Sequence, residues 1–259
     1  MAGPFNARQK AILSQIRQEG RVLVEDLAAA FGTTPQTIRR DLRLLEETGE
    51  VMRFHGGASL LPGTEYTSFE IRRTIQAEAK ERIGRAVAAR IPDNTMLMIN
   101  GGTTTAAFAR ALATRTGLRI ITDNLEIAND LRSIGNFDIM VPGGTVRRSD
   151  GTVTGVAALE FLRGFRADIA VIGAAAVDSD GALLDFDLAE AAVARAMMDC
   201  AKHVILAVDS TKFDRSAPVV VGWLRQVNTL VTDRCRSERI RALCEAQDVE
   251  LVESDPVPA

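Results

Sequence analysis

The chain has 259 residues, 46% of them hydrophobic and 25% charged, and a formal net charge of −3. These are values for a globular protein of one large or two modest domains, and they exclude a disordered chain or a globally basic nucleic-acid binder. Three cysteines without a CxxC pair, two distant histidines, no signal-like N-terminus and no membrane-length apolar run predict a cytoplasmic protein with no disulfide framework, no metal, no cofactor and no membrane partner.

From residue 6 to 19, Ile12, Leu13 and Ile16 recur at helical spacing, and Gly20 stops the helix. Residues 21–24 read as a short strand. Residues 25–31 read as a second helix with Leu27, Ala28 and Phe31 inward, and Gly32 supplies a tight turn into a third. Thr34 is a suitable N-cap there, and Pro35 suits the first helical position, where its missing N–H costs nothing. Ile38, Leu42 and Leu45 then share one face, while Gln36, Arg39, Arg40 and Arg43 share the other with Thr37 at its margin. In isolation the default is an amphipathic helix with a solvated basic face. A Gln/Arg front on a short helix after a tight turn, however, suits a DNA major groove, because both side chains can contact base edges bidentately. Residues 1–60 hold eight Lys/Arg against seven acids, so the local placement of charge matters more than its sum. Gly49 ends the third helix, and residues 50–58 read as two short β-segments turning near the glycines. That is a wing, with Arg53 and His55 near the sugar-phosphate backbone.

Taken together, Arg8-Gln9-Lys10 with Ile12-Leu13, Thr37-Ile38-Arg39-Arg40-Asp41-Leu42 and Arg53-Phe54-His55-Gly56-Gly57-Ala58 resemble the DeoR family of bacterial transcriptional regulators. The resemblance implies a winged helix-turn-helix over 1–58, with Thr34, Gln36, Thr37, Arg39, Arg40 and Arg43 facing operator DNA. Thr34 replaces the family's usual Ser and keeps the hydroxyl. Asp41 is expected to pair with a neighbouring arginine and orient it, without touching DNA.

Residues 59–76 are Pro/Gly-punctuated at first and read as a linker, with helical character resuming around Phe69. Over 77–259, apolar runs at 95–99, 119–122, 138–141, 168–173, 204–208, 229–232 and 249–252 read as strands. Helices are expected at 77–89, 104–114, 125–134, 156–165, 188–202 and 237–246. Such alternation predicts an α/β domain with a mostly parallel sheet, which binds ligands outside the carboxyl ends of its strands.

Polar clusters fall at that edge. Asn100-Gly101-Gly102-Thr103-Thr104-Thr105 can cradle an anion, because glycines admit a ligand and a helix start presents N–H groups. It is neither a Walker A loop nor a GxGxxG fingerprint, and it is as readily a structural turn as a site. Asp123-Asn124, Gly143-Gly144 with Arg147, Asp178 and Lys212 follow, the last bringing a cation to the same edge. The candidate effector set is thus Asn100, Gly102, Thr103, Thr104, Thr105, Asp123, Asn124, Gly143, Gly144, Arg147, Asp178 and Lys212.

The family resemblance continues to about Asp233 through Gly102-Thr103-Thr104, Thr122-Asp123-Asn124-Leu125, Gly143-Gly144 and Asp209-Ser210-Thr211-Lys212-Phe213. It implies a sensor domain that looks like ribose-phosphate isomerases and binds a phosphorylated metabolite. The string from Asp178 to Asp187 is similar to that of members responding to glycerol 3-phosphate. The family usually has Asp where this chain has Asn100, and a neutral residue where it has Asp123. The expected function is a ligand-released repressor of a carbon-metabolism operon, acting on double-stranded operator DNA as a homodimer or homotetramer. The alternative is a sugar-phosphate isomerase-like enzyme with Asp178 or Glu190 as its acid/base pair; Asn100 and the complete DNA-binding domain stand against it.

Overall fold

A computed structural model describes residues 5–19, 21–48, 51–54, 56–60 and 69–254, so Gly20, Gly49, Glu50, His55 and the 61–68 part of the expected linker lie outside the described residues. The chain forms two compact units, Met1–Ser68 and Phe69–Ala259.

In the first unit the described elements are α1 (Ala7–Glu19), β1 (Arg21–Leu23), α2 (Val24–Ala30), α3 (Pro35–Glu47), β2 (Val51–Phe54) and β3 (Gly57–Leu60). Ile12, Ile16, Leu27, Ile38, Leu42, Leu45 and Val51 bury completely or nearly so in one core, which fixes the backs of the three helices against each other. Gly32 takes φ +57°, a left-handed conformation that ends α2 and that other residues adopt only with strain. The wing is larger than its two expected segments. Strand β3 pairs antiparallel with β2 and also with β1, giving the order β1-β3-β2, so the strand at 21–23 belongs to the same sheet.

The second unit opens with α4 (Phe69–Thr74) and α5 (Ala77–Ala88). Then follow β4 (Met96–Ile99), α6 (Thr103–Arg110), β5 (Arg119–Thr122), α7 (Leu125–Ile134), β6 (Asp138–Met140), β7 (Thr145–Val146), β8 (Val153–Thr154), α8 (Val156–Arg163), β9 (Ala167–Ile172), β10 (Ala176–Val177) and β11 (Ala182–Asp185). The chain closes with α9 (Leu188–Asp199), β12 (Ala201–Ala207), β13 (Val219–Trp223), β14 (Thr229–Thr232), α10 (Glu238–Ala246) and β15 (Glu250–Glu253). Seven strands form an all-parallel sheet in the order β15-β14-β12-β9-β4-β5-β6. Alternation along β4 sends Met96 and Met98 into the core beneath α8, α9 and α10, and Leu97 and Ile99 into the core beneath α5, α6 and α7. Helices α5 and α6 approach so closely that a Cβ on Gly84 would lie 2.7 Å from the Ala107 carbonyl carbon.

Three expectations are corrected. The helix at 188–202 ends at Asp199, because β12 already pairs with β9 from Ala201 onward. The helix at 104–114 is α6 followed by a 3-10 turn over Ala111–Thr114. Segments read as loops form a β7–β8 hairpin and a separate antiparallel sheet, β10-β11-β13. β7, β8 and β10 have two residues each, too short for alternation to register in sequence, and β11 and β13 pair with β10 and with each other outside the parallel sheet.

Chain order runs β4, β5, β6 towards one edge and then returns to β9 beside β4 on the other side. The β4/β9 seam is therefore the switch point at which sheets of this type bind ligands.

Candidate functional site

In the first unit the α3 front is built from its N-cap. The Thr34 hydroxyl accepts the Thr37 N–H at 3.2 Å and lies 2.9 Å from the Thr37 hydroxyl, and Pro35 begins the helix. Thr34, Gln36, Arg39, Arg40 and Arg43 are exposed and Thr37 half-buried, so the expected Gln/Arg row does stand on the open face. Arg39 lies 3.6 Å from Glu25 of α2, a loose exposed pair of small energetic weight.

Asp41 sits on the buried back of α3 and pairs with no arginine of its own helix. Its carboxylate accepts Arg8 Nε at 2.7 Å and Gln9 Nε2 at 3.0 Å, both from α1. Gln9 also exchanges hydrogen bonds with Asn6 at the start of α1. The Arg8-Gln9 pair of the sequence motif is therefore an α1–α3 clamp. Arg53 is likewise engaged within the protein. Its Nε donates to Glu46 at 2.7 Å and its backbone N–H to the same carboxylate at 3.3 Å, tying the wing to the end of α3. That hydrogen bond holds Glu46 below the usual carboxylate range.

In the second unit the carboxyl ends of the strands divide into residues that hold the edge together and residues that face outward from it. Asn100 belongs to the first group. Its Nδ2 donates to Gly173 O at 3.1 Å and its Oδ1 accepts Gly173 N–H at 2.8 Å, closing the β4/β9 seam. The wholly buried Thr105 donates to Asn100 O at 2.7 Å. Asn124 is also wholly buried. It caps α7 through Glu126 and Ile127 N–H, both at 3.1 Å, and donates to Asp150 O and Thr152 Oγ1. Expected as effector contacts, Thr105 and Asn124 are instead enclosed, with their polar atoms satisfied by protein. A ligand would have to displace those bonds to reach them.

Asp123 is 2% exposed, and its carboxylate accepts the Gly101 N–H at 2.6 Å. Burial raises its pKa to about 7 despite that bond. Gly101 is confined by close neighbours: a Cβ there would meet Thr152 Oγ1 at 2.9 Å. Gly102 precedes α6 as its N-cap, and the following Thr103 and Thr104 occupy the helix's first turn. Their hydroxyls, unlike that of Thr105, make no hydrogen bond among the described residues. With the first N–H groups of α6 they are the groups of this edge whose chemistry suits an anion.

Arg147 sits just beyond β7. It is engaged by Asp150 and Glu190, with Asp187 at 4.0 Å, so its charge is already shared among carboxylates. Glu190, the base required by the isomerase alternative, is bound in that same network. Gly143 has open space where a Cβ would stand, whereas Gly144 lies against the Thr154 carbonyl. Asp178, also of the expected effector set, lies in a hairpin. It turns the β10–β11 hairpin, with its carboxylate accepting Ser179 N–H at 2.6 Å, and nearby Gly181 faces Leu224 and Leu243. Only the far end of that string reaches the polar edge, through Asp185 and Asp187. Burial raises Asp185 above its ordinary range, with Arg72 and Arg147 opposing the shift.

Lys212 ends a 3-10 turn over Ser210–Lys212, which is capped by buried Asp209. Burial lowers the Lys212 ammonium, and the nearby Asp209 carboxylate opposes that shift. Two cations beside it escaped the sequence reading because they lie on helices before the first sheet strand. Lys80 of α5 is 4% exposed and donates to the carbonyls of Arg72 and Ile75, each at 2.6 Å. Burial brings its pKa down to about 8. Arg72 of α4 lies 3.7 Å from Asp150. Among the described residues no His/Cys/Asp/Glu group could hold a metal ion, and no helix is long and apolar enough to cross a membrane.

Comparison with known proteins gives the same division of the chain. The DeoR-like helix-turn-helix domain matches residues 8–62, and the DeoR C terminal sensor domain matches residues 75–234. The glycerol-3-phosphate regulon repressor of Escherichia coli (strain K12) is 42% identical over 226 residues, covering 87% of this chain and 90% of that protein. The HTH-type transcriptional repressor CsqR of the same strain is 38% identical over 247 residues, or 95% of each chain. Among solved structures, ribose 5-phosphate isomerase A from Methanocaldococcus jannaschii aligns at a TM-score of 0.40 and 16% identity, over 53% of this chain and 55% of that one.

Proposed function

Since the chain belongs to the DeoR family of DNA-binding transcriptional regulators, we propose that it represses a carbon-metabolism operon and leaves its operator when a phosphorylated metabolite binds the second unit. Glycerol 3-phosphate is the favoured effector, in keeping with the name of a relative at 42% identity. On this reading α3 enters the major groove with Gln36, Arg39, Arg40 and Arg43 forward. The effector's phosphate lies on the first turn of α6, beside Lys212. Two half-sites call for a symmetric homo-oligomer.

The observation that carries the proposal is the pairing of an open Gln/Arg face on a capped helix with unengaged Thr103 and Thr104 hydroxyls at the sheet's switch point. Effector binding weakens DNA binding only to the extent that the effector prefers the conformation with low DNA affinity. The isomerase alternative loses support because Glu190 is held by Arg147 and Asn100 by Gly173, and the relatives are named as transcriptional repressors. The test is fluorescence anisotropy of labelled DNA from upstream of the gene and its neighbours, at fixed salt, with and without glycerol 3-phosphate. Specific binding released by the ligand is expected. Binding unaffected by a panel of sugar phosphates would refute the effector half.

A further inference from the structure

We propose that Asp185, the last residue of β11, is a further effector-binding residue, whose open carboxylate oxygen accepts a hydroxyl of the metabolite held by its phosphate on the first turn of α6. The inference rests on the effector reading above and deepens it. It adds a residue outside the expected effector set and narrows the ligand to a phosphate monoester with a hydroxyl on its carbon chain.

The first observation is where Asp185 is placed. It pairs with Val219 of β13, and the preceding Leu184 carbonyl accepts the Ala175 N–H at 3.0 Å. Ala175 lies two residues beyond Gly173, which Asn100 ties into the β4/β9 seam. Gly173 in turn faces the first turn of α6, since a Cβ on it would stand 3.5 Å from Thr105 Cγ2. On the other side, Asp187 caps α9 by accepting the Ala189 and Glu190 N–H groups. The backbone around Asp185 is thus held from both directions at the switch point, and its side chain is positioned before any ligand arrives.

Second, only one oxygen of this carboxylate is used. Asp185 Oδ1 accepts the Phe186 N–H at 2.7 Å and the Asp187 N–H at 3.4 Å. Oδ2 accepts no hydrogen bond, and the carboxylate makes no ion pair, among the described residues. A half-buried carboxylate oxygen without a donor has lost part of its hydration, and a ligand O–H replaces it with a charge-assisted hydrogen bond.

Third, the surroundings divide the ligand's two ends. Thr103 and Thr104, 8% and 7% exposed, present hydroxyls with no hydrogen bond among the described residues. Burial lowers the Lys212 ammonium, and the Asp209 and Asp185 carboxylates both oppose that shift, so Asp185 stands within electrostatic reach of the cation. Donors and a cation at one point suit a phosphate. A bare acceptor at the other suits a neutral hydroxyl and repels a second anion. The ligand class is therefore a singly phosphorylated polyol or sugar, in preference to a bisphosphate or a phosphorylated acid.

The experiment is isothermal titration calorimetry of sn-glycerol 3-phosphate and of n-propyl phosphate, which has the phosphate and the carbon chain without hydroxyls. Each is titrated into the full chain, Asp185→Asn and Asp185→Ala, with a thermal melt of each protein. The parent is expected to prefer glycerol 3-phosphate by about tenfold or more, the weight of a hydrogen bond to a charged group. Asp185→Asn keeps an oxygen for the Phe186 N–H and turns an amide outward, so it should lose most of that preference and bind n-propyl phosphate as the parent does. Asp185→Ala should lose the preference as well. A merely structural role would weaken both ligands together in Asp185→Ala and leave Asp185→Asn like the parent, which overturns the assignment. A parent without the preference, or a preference that persists in the folded variants, also overturns it while the effector reading stands. A parent that binds neither ligand overturns the effector reading, and the role of Asp185 with it.

Discussion

Asp123 gives the sharpest test of how the sheet edge is built. Its carboxyl is enclosed, and burial raises its pKa to about 7 from an ordinary 3.8. Between those values the folded protein holds a proton that the unfolded chain releases, so the stability of the sensor unit falls as pH rises from about 4 to 7. The slope is about 1.4 kcal/mol per pH unit, and stability levels off above the folded pKa. At pH 8 the accumulated cost is about 4 kcal/mol. Asp123→Asn keeps an oxygen to accept the Gly101 N–H and removes the ionisation. The variant should therefore be more stable than the parent by about 4 kcal/mol at pH 8, with the gap below about 1 kcal/mol at pH 4. In urea this is a midpoint shift of about 2 M at an m-value near 2 kcal/mol/M. Trp223, the sole tryptophan, lies on β13 of the second unit, so its fluorescence reports that unit alone. Parallel pH profiles for parent and variant would refute the burial argument, because they would mean that Asp123 ionises freely in the fold.

Other outcomes follow from the same geometry. Arg40→Ala should weaken operator binding by about 1–3 kcal/mol if Arg40 reads a base, with effector affinity unchanged by calorimetry; normal operator binding would mean that the α3 face is misassigned. Thr104→Ala combined with Lys212→Ala should leave operator binding intact in anisotropy titrations while abolishing release by glycerol 3-phosphate. Gly84→Ala forces a methyl against the Ala107 backbone. It should destabilise the sensor unit by about 1–3 kcal/mol in Trp223-monitored denaturation, as overpacking does.

Much of the architecture was legible because it rests on local rules. Thr34 and Pro35 announce the start of α3, Gly32 the turn before it, and runs such as Met96–Ile99 the buried parallel strands. The edge was harder to read. Polar residues after a strand look alike whether they are unengaged or satisfy the backbone, and only the fold separates Thr104 from Thr105. Asp178 and Asp185 belong to one motif yet sit at opposite ends of a hairpin whose first strand has only two residues. Arg72 and Lys80 were missed for another reason. They precede the sheet in sequence, so no rule about strand ends points to them, and only the packing of α4 and α5 on α6 brings them to the site.

The α1–α3 clamp bears on how the operator-reading residues can be mapped. Asp41, Arg8 and Gln9 set the pitch at which α3 is presented, so their loss would tilt every base contact together. An alanine scan scored by repression alone would rank Arg8 beside Arg40. Salt titration and operator-variant panels separate them. Loss of a reader relaxes specificity at one base position, whereas a tilted helix lowers affinity across all of them. The first helix thus acts as an alignment device for α3, and a uniform loss of operator affinity is the expected signature of its clamp residues.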